Sequence, residues 1–213
     1  MKTKIKNFQF LIVCTLTLLM VNSCSGTFSV DLTSSDSAVQ LREKISKEIQ
    51  NDDMIVYISL GTTSSAFTSD MGQAVVNYYE AGKTEPMAKV VSMGPGDTRT
   101  SKPNSYAFDE DDDTGKLRAA GIKFSDVDFS QIHTNMAKAI AIMASDSVNM
   151  PYSGIGSYTM WLNYPDKIKH TFTLQSAGET NATTGNKGLA LETTYYECEF
   201  EADAAGNVVM KNK

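Results

Sequence analysis

Tyr158-Thr159-Met160-Trp161-Leu162-Asn163-Tyr164, then Pro165-Asp166, then Ile168-Lys169-His170-Thr171-Phe172-Thr173-Leu174-Gln175 is the passage on which the fold turns. In both runs apolar and polar residues alternate. Tyr158, Met160, Leu162 and Tyr164 share one face, and so do Ile168, His170, Phe172 and Leu174. A period of two puts alternate side chains on opposite faces of a strand. Pro-Asp between two such runs predicts a tight turn, so the runs form an antiparallel pair.

The pattern repeats downstream. From Leu189 to Ala202, Tyr196, Cys198 and Phe200 fall on one face, and Tyr195, Glu197 and Glu199 on the other. Ala204-Ala205-Gly206-Asn207 predicts a hairpin turn and Val208 to Lys211 a returning strand. The stretch 177–188, rich in Gly, Asn and Thr, reads as a loop. Upstream, Phe129, Ile132, Met136, Ile140 and Met143 recur at helical spacing behind the capping pair Asp128 and Gln131. A helix covering one face of an antiparallel meander, with the other face in water, makes the class α+β. In element order alone this half resembles the second half of a cystatin-like or nuclear-transport-factor-2-like sheet. That resemblance implies a curved sheet with a pocket under the helix.

The N-terminal half reads helix–strand–helix–strand. Ser37 and Gln40 have capping-box spacing, and Ala38, Leu41, Ile45 and Ile49 follow at helical intervals up to Asn51-Asp52-Asp53. Met54 to Leu60 is a short apolar run expected as a buried strand. Met71, Ala74, Val75 and Tyr78 fit a second helix, capped by Ser69 or Asp70 and closed by Gly82. Met87 to Met93 is expected as a strand. Gly94 to Gly115 then breaks the pattern with Gly94-Pro95-Gly96, Pro103 and the acidic run 109–113. So long an irregular stretch is expected to be functional or mobile. It is also where a single domain over 37–213 would subdivide.

The start of the chain carries an address. Lys2, Lys4 and Lys6 precede an apolar stretch from Phe8 to Val21, which has the length of a signal-peptide core and is too short for an ordinary span. Val21-Asn22-Ser23-Cys24 follows and resembles the lipobox of bacterial lipoproteins, with Asn22 unusual for that motif. The resemblance implies removal of residues 1–23 and a thioether-linked diacylglycerol on Cys24. Two or three acyl chains hold a protein stably where one is marginal. Residues 24–36 are then a lipidated tether; the twelve from Ser25 to Asp36 reach at most ~40 Å when extended. Ser25, where inner-membrane lipoproteins commonly carry aspartate, favours the outer membrane. The lack of acidic residues immediately after Cys24 favours its periplasmic face over the cell surface.

Charge and cysteine content narrow the functions. The 213 residues carry a formal charge of −6, which becomes −9 once the three signal lysines are removed. Such a chain is a poor ligand for nucleic acid. Cys14 lies in the signal and Cys24 takes the lipid, so Cys198 has no cysteine partner and stability must come from packing.

No catalytic constellation emerges. His170 and Cys198 could meet across neighbouring strands, but no third orienting group accompanies them. The Asp109-Asp111-Asp113 spacing begins like a calcium loop, yet Thr114 stands where glycine is needed and Ala120 where the final glutamate belongs. What remains is a loose surface site or a solvated acidic loop. The glycine-containing turns at 61–65 and 154–157 do not continue into phosphate-binding motifs. No cofactor or metal is expected.

Trp161 and Tyr195, on outward faces of their strands, and His170 are the candidate binding residues. The expected function is therefore a non-catalytic, lipid-anchored envelope protein that binds a protein, peptide or glycan. The alternative is a small-ligand-binding protein or hydrolase-type enzyme with a pocket between the third helix and the C-terminal sheet.

Overall fold

The computed structural model describes residues 29–62, 68–110, 117–118, 120–145, 148–185 and 188–212, with backbone alone for 109–110, 117–118, 179–185, 188–194 and 212. The strands are β1 (Val30–Asp31), β2 (Met54–Gly61), β3 (Asp70–Met71), β4 (Gln73–Tyr79), β5 (Pro86–Ser92), β6 (Arg99–Ser101), β7 (Asp109–Glu110), β8 (Leu117–Arg118), β9 (Ile122–Lys123), β10 (Gly154–Trp161), β11 (Lys169–Gly185), β12 (Gly188–Asp203) and β13 (Val208–Asn212). Two α-helices accompany them, α1 (Ser37–Ile45) and α2 (Ser130–Met143). One antiparallel sheet dominates, in the order β13-β12-β11-β10-β2-β4-β5-β6, with β9 also on β2. The fold is α+β and mostly antiparallel sheet.

The C-terminal meander follows from the alternation in the sequence. Tyr158 lies opposite Phe172, and Phe172 opposite Phe200. Their rings stack across three strands, with centroids 4.9 and 5.5 Å apart. Cross-strand aromatic pairs of this kind contribute roughly 0.2–1 kcal/mol each beyond alanine pairs. Over this face lies α2, burying Ile132, Met136, Ala139 and Met143 in the same core. Asp128 accepts from the backbone N–H of Ser130 at 3.0 Å just ahead of the helix, but the N-cap position is Phe129, with no side-chain cap, and Gln131 donates instead to the carbonyl of Ala204 at 3.4 Å, so the expected capping pair does not form.

The N-terminal half departs from the expected order. Residues 73–79 are a strand, not a helix. Ala74 and Tyr78 are four apart, and that spacing shares a face in either geometry. The deciding residues are the neighbours. Val76 joins Ala74 and Tyr78 in the main core, while Asn77 and Tyr79 turn to the other face. Paired β-branched and aromatic residues favour that choice. Gly82, read as a helix stop, has φ of 76° and serves the turn between β4 and β5, where the N–H of Lys83 reaches the carbonyl of Glu80 at 2.9 Å.

Three further expectations change. The N-cap position of α1 is Asp36, one residue before buried Ser37, and its side chain caps no backbone N–H; the carboxylate accepts instead from Nε2 of Gln40 at 2.7 Å. Within the stretch 24–36 expected as a tether, Val30 and Leu32 lie in the core and β1 pairs with β3. The stretch 94–115 is not structureless. Its residues 99–101 form β6 on the sheet edge, and Ala107 and Phe108 pack on Val56, Tyr57 and Tyr79. That segment is pinned by Asn77, whose buried Oδ1 accepts from the N–H of Asn104 at 2.8 Å. The sheet face away from the helices is thus covered at its N-terminal end; along β10–β12 Thr159 and Gln175 are buried, Trp161, Thr171 and Thr173 half-buried, and Tyr195, Glu197 and Glu199 exposed.

The stretch 177–188 is not a loop either. After a bulge between Ala177 and Thr180, β11 and β12 stay paired out to Gly185 and Gly188. β10 pairs with β11 only as far as Gln175, so the hairpin runs on beyond the strand beside it.

Asp53 secures the exit of the first helix. This buried carboxylate accepts from the N–H of Gln50 at 2.8 Å and of Ala81 at 3.0 Å, tying the helix exit to the β4–β5 turn. Asp53→Ala removes both charge-assisted bonds and is expected to cost about 2–3 kcal/mol. Urea denaturation should show a lower midpoint with an unchanged slope.

Candidate functional site

The two faces of β10–β12 hold chemically different groups. On the helix side His170 is 1% exposed. Its Nδ1 lies 2.8 Å from the hydroxyl of Tyr158, which accepts from Nδ2 of Asn135 on α2 at 3.1 Å. Which of Tyr158 and His170 donates in that contact depends on the His170 tautomer. Burial pulls the His170 pKa down to about 4, against a smaller opposing effect of Asp128. Burial likewise raises that of Tyr158. These are groups sealed between helix and sheet. Ile132, Met136, Ala139 and Met143 fill the space beneath α2, against Tyr158, Met160, Phe172 and Leu174.

His170 and Cys198 do not meet. His170 is opposite Ala202, whereas Cys198 is opposite Leu174, four positions along β11. The thiol of Cys198 points instead at the sulfur of Met150, 3.5 Å away.

The outward face carries Trp161 at one end. Its ring meets Tyr57 edge-on with centroids 5.1 Å apart, and Tyr106 at 6.0 Å. The Lys169 ammonium lies 5.6 Å from the Trp161 ring centroid. Nε1 of Trp161 donates to Oγ1 of Thr171 at 2.9 Å. Tyr106 is 62% exposed, and its hydrogen bond to Tyr57, ahead of burial, pushes its pKa up to about 12. From there Ser157, Thr171 and Thr173 line a shallow cleft of about 350 Å³ with Glu199, Glu201 and Lys211. A neighbouring polar cleft of about 340 Å³ adds Thr62, Gln175 and Glu197.

Tyr195 belongs to this same face at the far end, 48% exposed. Trp161 lies opposite Lys169 and Tyr195 opposite Ala177, eight positions along β11. That is roughly 26 Å at strand rise. The two aromatics therefore bound a long face and do not form one patch. The residues that do join Trp161 are Tyr57, Tyr106 and Lys169. Tyr57 was legible in part, as an odd-numbered aromatic in the run Met54–Leu60. Tyr106 was not, because its place depends on how the 104–108 segment folds back.

Other surface features are less developed. A cleft of about 450 Å³ lies between the helices, bounded by Ala38, Val39, Arg42, Asp128 and Phe129. Arg42 closes its floor, donating to the carbonyls of Phe124 and Val127. Among the described residues no group of three or more His, Cys, Asp or Glu side chains could hold a metal ion. No helix among them is long and apolar enough to cross a membrane. Cys24 and the side chains of the acidic run 109–113 lie outside the described residues. No family model matches the chain, and neither a curated protein nor a solved structure matches it.

Two measurements check this geometry. In the unfolded chain His170 takes up its proton near pH 6.5, but in the fold only near pH 4. The unfolded state therefore binds more protons between those values, and this contribution weakens the fold as pH falls through that window and levels off below it. Denaturation at stepped pH should show His170→Gln losing this part of the slope, at most about 1.4 kcal/mol per pH unit for one proton. The second measurement uses Trp161, the one tryptophan of the chain. Tyr106→Ala uncovers its ring, so emission should shift to the red while the far-ultraviolet circular dichroism stays unchanged.

Proposed function

We propose that this chain is a lipid-anchored, non-catalytic binding protein of the bacterial cell envelope. It is held through acyl chains on Cys24, on the periplasmic face of the outer membrane, and its partner is a protein, peptide or glycan. The address rests on the signal stretch, with its three lysines, short apolar core and Val21-Asn22-Ser23-Cys24. Binding rather than catalysis rests on the division of the sheet. The histidine on the helix side is neutral, sealed and bonded to Tyr158, while the opposite face offers Trp161, Tyr106, Tyr195 and a polar trough to solvent. Rigid aromatic rings at a polar surface supply large contact area at low entropic cost, which is why they recur in recognition surfaces. We read the expected domain 37–213 as one unit, because β6 within 94–115 pairs with β5 and Phe108 packs on Tyr79, and we extend it back to Val30, which packs in the same core.

The anchor and the binding face are tested separately. Cells fed a labelled palmitate analogue should label the wild-type protein, which should enter the detergent phase on cloud-point separation. Cys24→Ser should do neither. An unlabelled wild-type protein found in the aqueous phase would end the lipoprotein reading. A photoreactive residue placed at Tyr106 should yield adducts in intact cells, whereas the same residue at Val39, on the helix side, should not.

A further inference from the structure

Tyr57, Tyr106 and Trp161 form a triangle in which every ring meets the other two. Tyr57 lies 5.7 Å from Tyr106 and 5.1 Å from Trp161, both edge-on, and Tyr106 lies 6.0 Å from Trp161. The hydroxyls of Tyr57 and Tyr106 are 3.4 Å apart. Two of the rings ride on β2 and β10, where Trp161 is the cross-strand partner of Tyr57. The third, Tyr106, is 62% exposed. Rings fixed edge to face do not fold flat onto one another, so Tyr106 holds an aromatic surface toward solvent in one orientation.

Beside the triangle stands a cation without a carboxylate. Lys169 is exposed, with its ammonium 5.6 Å from the Trp161 ring centroid. Among the described residues Lys47, Lys83, Lys89, Lys123 and Lys211 each pair with a carboxylate, and Lys169 does not. Asp203 is its cross-strand neighbour on β12. That carboxylate is taken by the turn that follows it: it accepts from the N–H of Ala205 and of Asn207 at 2.9 Å, and from Nδ2 of Asn207 at 2.8 Å. A ring contact leaves the three ammonium donors of Lys169 unspent. On a chain of formal charge −6, this corner is complementary to an anion.

The groups next to it are polar. Thr171 accepts from Nε1 of Trp161 and also lines the cleft of about 350 Å³ that runs on to Glu201 and Lys211, themselves 3.7 Å apart. Among the described residues the large aliphatic exposed on this face is Val209, beyond Glu201. A protein interface is built on a desolvated apolar centre, which one tyrosine does not supply. A sugar asks for less. One face of a pyranose ring is a set of C–H groups that lie against the negative face of an aromatic ring, while its hydroxyls bond to groups such as Thr171. We propose that the corner of Tyr106, Trp161 and Lys169 binds an acidic polysaccharide, with a uronic acid ring stacked on Tyr106, its carboxylate on Lys169, and neutral sugars continuing over the Thr171 cleft. The carboxylate of Glu201 excludes a second acid there. This names the partner class for the binding reading above and rests on it.

The test uses full-length protein in detergent and three small probes. Trp161 emission and saturation-transfer NMR read binding. Methyl glucuronide should change the emission saturably and show transfer to its ring C–H protons. Methyl glucoside, which lacks only the carboxylate, should bind at least about threefold more weakly. Glutarate, an anion without a ring, should lose a similar factor. Tyr106→Ala removes the stacking surface and Lys169→Gln the charge, and each should weaken glucuronide at least about threefold. Tyr106→Phe and Lys169→Arg should keep wild-type affinity. Both positions are exposed, and thermal melts should match wild type in all four variants. Equal binding of the glucoside or of glutarate, glucuronide affinity unchanged in Tyr106→Ala or Lys169→Gln, or no binding in either readout would overturn the proposal. If the photo-adducts formed at Tyr106 in cells contain protein and no sugar, the polysaccharide is wrong and the binding reading stands. If no adduct forms and no probe binds, both fail.

Discussion

The pairing of β10 with β2 is the joint on which the molecule depends. Ser157 to Trp161 run antiparallel to Gly61 to Tyr57, about a hundred residues earlier in the chain. Without it there are two small sheets, each with an apolar face and too little to cover it. With it, the C-terminal meander and the N-terminal strands become one sheet. The face carrying Ile58, Leu60, Tyr158 and Met160 becomes continuous, and both helices bury it. Closing so long a loop carries an entropic cost, which grows only slowly with length and is offset by the area that the joined face removes from water.

The joint also fixes which groups reach solvent. A strand paired on both edges cannot slip by one residue without exchanging its faces. With β10 held between β2 and β11, Tyr158 must face the helix and Trp161 must face outward. The network of Asn135, Tyr158 and His170 follows from that. Three polar groups in an apolar layer are tolerable only when bonded to one another, and their bonding fixes α2 against β10 and β11. On the other face the same constraint aligns Tyr57 beside Trp161, and the 104–108 segment brings Tyr106 down upon them. A sealed polar network on one side and an aromatic cluster capped by exposed Tyr106 on the other are two consequences of one register.

The C-terminal half was readable because its signal is redundant. Alternation over eight residues, a Pro-Asp turn and a hairpin turn all point to the same structure, and the long apolar stripe of α2 needs no context. The second helix was misread because Ala74 and Tyr78 satisfy two periods at once. Only pairing with β2 and β5 breaks that tie. The pairing from Thr180 to Gly185 with Gly188 to Thr193 was missed because Gly and Asn are depleted in strands and mask the strand preference of Thr180, Thr183 and Thr184; each arm is held there by the other. Tyr106 carried no local sign at all. Its environment is made by residues fifty positions away on either side.

The sequence by itself determined the acidic charge, the α+β class and which residues of each C-terminal strand share a face. These are local properties, written in period and composition. Only the tertiary structure decided that the strands form a single sheet, that Trp161 lies with Tyr57 and Tyr106 and far from Tyr195, and that His170 is sealed away from Cys198. Each of those depends on register between distant segments. Register is chosen by burial of a whole face at once, and no short stretch of chain contains it.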